Sequence, residues 1–507
     1  MSEGSLSKRG VTRRGFLTVA VSAIVAGVVA GVGAYYAGLS AAGPAATVTV
    51  TAPGGTATVT RTTTVTAPPV TTTVTTTAGA PPVGPKEILI GASLALTGPM
   101  APFDAGITFG HKAAVEDINK LGGVYVRQYG RRIPVRYIVY NNETEPAKAA
   151  SLAAKLILED GVIALVGGDG PPVTWNPICA QAERYQTPIV AGSPWEPWWA
   201  GGPYKYAWSI LFRIATKPGV ATGHPWLEGR VGYCLTDVAL AITDKYADKT
   251  NRRVAVLAAD DADGRGWYEA FPNVLKEAGY TPWRTPPHTG EKLGLYPPGT
   301  TDFTGIIRAW KEADCQIMWA NLPGADFGIV VKQMAGLGYT PKLGWIARGA
   351  MFYEDIMAWG GDLPEGWISE IKWDPRFPPE ICRGIGDTTP MSLFERWTKE
   401  KGTPPVYQHT YTIGMGYSAM QVLLDAIERA DKLDKESINE AIAETAGYFM
   451  SGHIRFSKTA HDSPNPIMCG QWQKVDKPWK WEMKIVFSQH PWMQPDADMI
   501  FPIPSKG

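Results

Sequence analysis

The stretch ILIGASLALTGPMAPFDAGITFGHKAAVEDI, residues 88–118, carries the pattern that decides the fold. Ile88 to Leu94 is a short apolar run of strand length, and Thr97-Gly98-Pro99 punctuates it as a loop. Ile107, His111, Ala114 and Ile118 then fall on one face of a helix. A strand followed at once by an amphipathic helix is the first half of a β-α-β unit.

Working outward, the alternation repeats. Ile133 to Tyr140 reads as a strand, and Pro146 opens a helix with Ala149, Leu152, Ala153, Leu156 and Ile157 as its buried stripe. Val162 to Val166 is an apolar strand ending in Gly167-Gly168-Asp169-Gly170, and Ile189 to Ala191 is another. The series restarts at Val254 to Ala259, followed by a helix bearing Trp267, Ala270, Phe271, Val274, Leu275 and Ala278, with Pro272 expected to kink it or delay its start. Strands at Ile317 to Ala320 and Gly344 to Ala347 flank a helix carrying Phe327, Val331, Met334 and Leu337. Two such series predict an α/β protein of two doubly wound, Rossmann-like lobes with mostly parallel sheets. Ligands bind outside the carboxyl ends of such strands, which points to the loops after Leu94, Val166, Ala191, Ala259, Ala320 and Ala347. Asn321 closes the strand at Ala320 and joins the candidate ligand contacts.

Composition removes several functional classes. Lys+Arg and Asp+Glu balance at 48 each, so no broad basic field awaits nucleic acid. Five scattered cysteines, with no CxxC pair, argue against a zinc site or a dense disulfide framework and leave room for one or two bridges. There is no phosphate-binding G-x-x-x-x-G-K-[ST], no H-E-x-x-H and no G-x-S-x-G, so the chain reads as a binding protein without a cofactor rather than an enzyme. Asp260-Asp261-Ala262-Asp263-Gly264 fails as a calcium loop, because Ala259 and Ala270 fall where carboxylates are needed. Those aspartates are expected at a helix N-terminus, with Asp263 near the cleft. Gly167 to Gly170 is expected to form a tight strand-to-helix turn, which is either a turn alone or one whose backbone N–H groups, around Asp169 and Gly170, meet a polar ligand group. The Trp- and Pro-rich run from Ser193 through Trp195 and Trp199 to Trp208 follows a strand at the same edge, and its rings either wall in a ligand or close over the core. Asn142-Glu143-Thr144 is a glycosylation sequon.

The N-terminal residues form a separate region. Lys8, Arg9, Arg13 and Arg14 precede an uncharged run from Phe16 to Leu39, which as a helix spans about 36 Å, enough to cross a membrane. The positive flank puts that end in the cytoplasm and the remainder outside. Thr12-Arg13-Arg14-Gly15-Phe16-Leu17 resembles a twin-arginine export signal. Residues 46–85 are Thr, Val, Ala and Pro with Arg61 in their midst, read as an extended stalk rather than a strand. A stalk needs a held base, so residues 1–45 are expected to remain as an uncleaved anchor at the cell surface.

The order of residues across 86–475 resembles the branched-chain amino acid (Leu/Ile/Val) binding-protein family, receptors of ABC importers. The resemblance runs through Ile88-Leu89-Ile90-Gly91, Gly110 to Asn119, Gly122-Gly123, Glu145 to Ala149, Asp160-Gly161-Val162, Phe212-Arg213, Asp302-Phe303, Gln333 to Gly338, Tyr417-Ser418-Ala419 and Gly452 to Phe456. It implies a type I periplasmic-binding fold with three crossovers. One lobe would take residues 86–216 plus 372–452 and the other 217–371 plus 453–507. It also implies a solute captured by lobe closure and delivered to a membrane permease; a signalling receptor on the same fold is the alternative. By that resemblance Phe103 matches the wall aromatic of the first loop, Pro171 replaces a serine, and Ser193 is the one hydroxyl residue after the fourth strand. Asp263 stands where a tyrosine is common and Arg348 where an acid would pair an ammonium. An arginine there suits a carboxylate instead.

Overall fold

The computed structural model describes residues 48–52, 55–59, 84–169, 172–192, 204–219, 226–227, 229–283, 294–407 and 411–506. Residues Val83–Gly507 form one compact unit, separate from Met1–Pro82.

The first sheet contains β1 (Ile88–Leu94), β2 (Val135–Asn141), β3 (Ala164–Asp169), β4 (Ile189–Gly192) and β5 (Ala207–Ser209), all parallel in the order β2-β1-β3-β4-β5. The order reverses between β1 and β3, the switch point at which a doubly wound sheet opens a crevice. Helices α1 (Ala101–Lys120), α2 (Pro146–Leu158) and α3 (Pro172–Arg184) connect its strands. The α1 face expected from periodicity is the buried one: Ile107, His111 and Ala114 are fully buried. Pro146 opens α2 as expected, and Pro134 cuts the strand expected at Ile133 to Tyr140, leaving Arg131–Ile133 in a separate small hairpin.

The second sheet repeats the plan. It contains β6 (Arg253–Ala259), β7 (Thr281–Trp283), β8 (Ile317–Asn321), β9 (Leu343–Ala347), β10 (Ile368–Ile371), β11 (Met468–Lys474) and β12 (Trp481–Phe487), ordered β7-β6-β8-β9-β10-β11-β12, with Leu295–Tyr296 also beside β6. Its strands run parallel except that β11 and β12 each pair antiparallel to their neighbour. Here the switch point lies between β6 and β8. Helix α4 (Ala262–Glu277) follows β6 and runs through Pro272 without ending, and α5 (Gly324–Gly336) follows β8. The two doubly wound lobes expected from the sequence are thus present.

The chain passes between the sheets three times: after β5, after β10 to reach α6 (Thr412–Arg429), and again before β11. These passages are tied together. Arg213 donates from Nε and Nη2 to both Asp462 carboxylate oxygens, at 2.6 and 3.0 Å. Helix α6 crosses α1 at backbone contact, because a Cβ on Gly110 would stand 2.3 Å from the Ile413 carbonyl oxygen and one on Gly416 2.5 Å from that of Ile107. Only glycine allows two helices so close.

One expectation is corrected and three readings left open by the sequence are decided. Val48–Ala52 and Gly55–Val59, read as extended stalk, pair as an antiparallel hairpin; the β-branched Thr/Val alternation supplies strand propensity, and only Pro53-Gly54 separates the paired Ala52 and Gly55. Trp208 is no cleft wall: it is 1% exposed, donates to Asn439 Oδ1 at 2.8 Å and stacks on His461 at 4.0 Å. Asn142 is fully buried with its amide bonded to Ser93 Oγ and the Thr144 N–H, so the sequon is inaccessible in the folded protein. All five cysteines are free and buried, so there is no disulfide. Among the described residues no helix is long and apolar enough to cross a membrane; Phe16 to Leu39 lies outside them.

Candidate functional site

Three predicted site residues converge at the switch point of the second sheet. Asp261 follows β6 and caps α4, its Oδ1 accepting from the N–H groups of Asp263 and Gly264 at 3.1 and 2.7 Å. That cap sets Asp263 in the first turn, where it is 5% exposed. Asp263 Oδ1 accepts from Trp267 Nε1, one helical turn on, and its Oδ2 from Asn321 Nδ2, both at 3.1 Å. Asn321 is the last residue of β8, 1% exposed. Arg348 follows β9 and places Nε 3.6 Å from the same Asp263 Oδ2, while its Nη1 donates to Asp261 Oδ2 at 2.9 Å.

Arg348 is held against its backbone preference. Its φ is +60°, and the Gly349 N–H bonds back to the Ala347 carbonyl at 2.5 Å, a three-residue turn of the rare positive-φ kind. Such a conformation in a non-glycine residue costs about 1–3 kcal/mol and concentrates at functional sites. The turn swings the guanidinium back over the sheet edge, where it is 4% exposed. Its Nε and Nη2 have no hydrogen-bond partner among the described residues, and neither has Asn321 Oδ1. Burial pushes the Asp263 carboxyl above its usual range, Arg348 draws it down and Asp261 pushes it up again. Burial opposes the charge on Arg348, but Asp263 and then Asp261 more than restore it.

Aromatic rings bridge the sheets nearby. Phe103, in the first turns of α1, meets Phe352 edge-on at 4.7 Å, and Phe352, four residues after Arg348, stacks on Tyr411 at 5.9 Å. The Lys372 ammonium, just beyond β10, lies 4.5 Å over Tyr411 and 4.7 Å over Phe212. Phe212 lies 6.3 Å from Trp267, which returns the path to Asp263. A belt of contacts therefore runs from the polar cluster through two crossovers to both lobes.

The other predicted residues divide. Asp169 ends strand β3 rather than sitting in a turn, which corrects the reading of Gly167 to Gly170. Gly167 and Gly168 belong to that strand because side chains press on it: a Cβ would stand 2.3 Å from the Trp175 ring and 2.6 Å from Ile107. Gly170, Pro171, Ser193 and Trp195 lie outside the described residues. Sequence reasoning missed Phe352, Tyr411, Lys372, Trp267 and the pairing role of Asp261. A cavity of about 240 Å³ lined by Pro218, Leu227, Tyr233, Cys234, Asp237 and Leu240 lies beside the first crossover and includes none of the predicted residues.

A profile described as periplasmic binding protein matches residues 87–477. This chain belongs to the periplasmic binding protein family. Within it, the likeness is to the type I, branched-chain amino acid group. Leu/Ile/Val-binding protein homolog 1 of Brucella abortus (strain 2308) is 24% identical over 393 residues, covering 76% of this chain and 91% of that protein. The leucine-, isoleucine-, valine-, threonine- and alanine-binding protein of Pseudomonas aeruginosa is 22% identical over 392 residues, 75% and 88% of the two chains. Among solved structures, the leucine-binding protein LivK of Thermotoga maritima superposes with a TM-score of 0.61 at 21% identity, covering 79% of this chain and 99% of that one. LivJ of Streptococcus pneumoniae, in complex with isoleucine, gives 0.59 at 16%, covering 78% and 99%. These likenesses agree with the two-lobed fold already described.

Proposed function

We propose that this periplasmic binding protein is the extracellular solute receptor of an ABC importer. It captures a small polar organic solute, a branched-chain amino acid or a related carboxylate or amide, by closing one lobe on the other and presents it to a membrane permease. The relatives named for leucine, isoleucine and valine support the solute class. One observation carries the placement: buried Arg348 Nη2 and Asn321 Oδ1 lack partners among the described residues at a switch point, beside Asp263. A buried polar atom left unpaired costs about 1–3 kcal/mol, more when charged, so these atoms are built to meet a ligand group. Phe103, Phe352 and Tyr411 would take the apolar body of the solute. Lobe 1 comprises roughly residues 86–216 and 372–452, lobe 2 the remainder of 86–507. The segment Phe16 to Leu39 tethers the receptor to the membrane, so the full chain should stay in the membrane fraction after alkaline carbonate washing.

The test is thermal unfolding of the full chain with leucine, isoleucine, valine, simple carboxylates, amides and urea. A ligand at a hundred times its dissociation constant adds about 2.7 kcal/mol. The expected result is a raised midpoint for at least one solute, lost in Arg348→Met. A flat response to the whole panel would sink the reading.

A further inference from the structure

Arg348 is satisfied in charge but not in hydrogen bonding. Two carboxylates share its one guanidinium, Asp261 at 2.9 Å and Asp263 at 3.6 Å, so the cluster already has an acid in excess. A ligand carboxylate placed on Nη2 would be the third carboxylate on a single buried cation. Repulsion between like charges is large where water is excluded. An ammonium fares no better as a partner for the arginine, because Nη2 needs an acceptor. What the cluster offers is a donor, Arg348 Nη2, and an acceptor, Asn321 Oδ1, on side chains that both reach the same Asp263 oxygen.

From this arrangement we infer that the polar head recognised by the second lobe is an uncharged group with an acceptor and an N–H donor side by side, a primary carboxamide on an apolar body. The amide oxygen accepts from Arg348 Nη2 and the amide N–H donates to Asn321 Oδ1. The inference rests on the solute-receptor reading above and narrows its ligand class. Asp261 sets the preference. It contributes the second negative charge and also caps α4, and both functions are separable, since asparagine and serine cap helices as well as aspartate.

The experiment is calorimetric titration of the full chain with three ligands on one carbon skeleton: 4-methylpentanamide, 4-methylpentanoate and leucine. The amide is expected to bind at least tenfold tighter than either of the others. In Asp261→Asn, affinity for the carboxylate should rise at least tenfold, narrowing the advantage of the amide. Asp261→Ser repeats the test should the asparagine variant unfold early. Tightest binding by leucine or by the carboxylate in the wild-type protein overturns the amide assignment and leaves the solute receptor standing. An unchanged carboxylate affinity in both folded variants overturns the role of Asp261. Failure of all three ligands, with no thermal shift across the wider panel, overturns both readings.

Discussion

Phe352 joins the lobes, so truncating it should loosen closure more than it loosens either lobe. The ring extends from the loop after β9 and touches Phe103 of α1 at 4.7 Å and Tyr411, at the start of α6, at 5.9 Å. With the lobe boundaries proposed above, both contacts run from one lobe to the other. An aromatic pair is worth about 0.5–1.5 kcal/mol beyond its buried area, so Phe352→Ala removes about 1–3 kcal/mol from the closed form. At about 1.4 kcal/mol per decade, the ratio of closed to open molecules falls roughly fivefold to a hundredfold. A solute that binds the closed form weakens by up to the same factor. Small-angle scattering of the ligand-free full chain should show a larger radius of gyration, and titration a correspondingly higher dissociation constant, with Phe352→Leu intermediate. If the variant melts earlier while radius and affinity stay at wild-type values, the ring is ordinary core and the bridge argument fails.

Three further outcomes are expected. Gly110→Ala drives a methyl against the Ile413 carbonyl oxygen, so it should cost about 1–3 kcal/mol or more and lower the thermal midpoint by several degrees; an unchanged melt would refute the close crossing. His111 donates from Nε2 to the Gly167 carbonyl and accepts the Tyr137 hydroxyl on Nδ1, and burial lowers its pKa from 6.5 to about 4. A depressed folded pKa gives stability that is whole above pH 6.5 and is lost as pH falls toward 4, on the order of 3 kcal/mol; the urea midpoint should drop over that window, and less so in His111→Asn. Burial pushes the thiols of Cys179, Cys234 and Cys315 up to about 12 and those of Cys382 and Cys469 higher still. Native protein should therefore resist alkylation by iodoacetamide that labels all five in urea.

Strand positions were legible where apolar period and punctuation agree: Val254 to Ala259 and Ile317 to Ala320 are strands within a residue, whereas Ile368–Ile371, Met468–Lys474 and Trp481–Phe487 were not read as strands. Asp263, Asn321 and Arg348 were legible as residues at carboxyl ends of strands, a rule of topology that needs no contact. Their mutual geometry was not, since it depends on the positive φ at Arg348, and nothing in its type announces that conformation. Gly167 and Gly168 misled for a related reason. Glycine signals freedom of backbone or closeness of approach alike, and here the Trp175 ring required the second. Phe352, Tyr411 and Lys372 meet across long sequence separations, which periodicity cannot reach. The lysine that follows β10, two residues after Glu370, passes in the sequence for an ordinary surface ion pair.

The seam between β10 and β11 also sets an order of events in biosynthesis. Ile368–Ile371 pairs with Met468–Lys474, which in turn pairs with Trp481–Phe487. Until those late residues leave the ribosome, β10 presents an unpaired edge, the kind of surface that recruits other chains. The second sheet is thus complete only once residue 487 has emerged, and a chain cut short anywhere before residue 468 is left with an adhesive rim in place of a finished lobe.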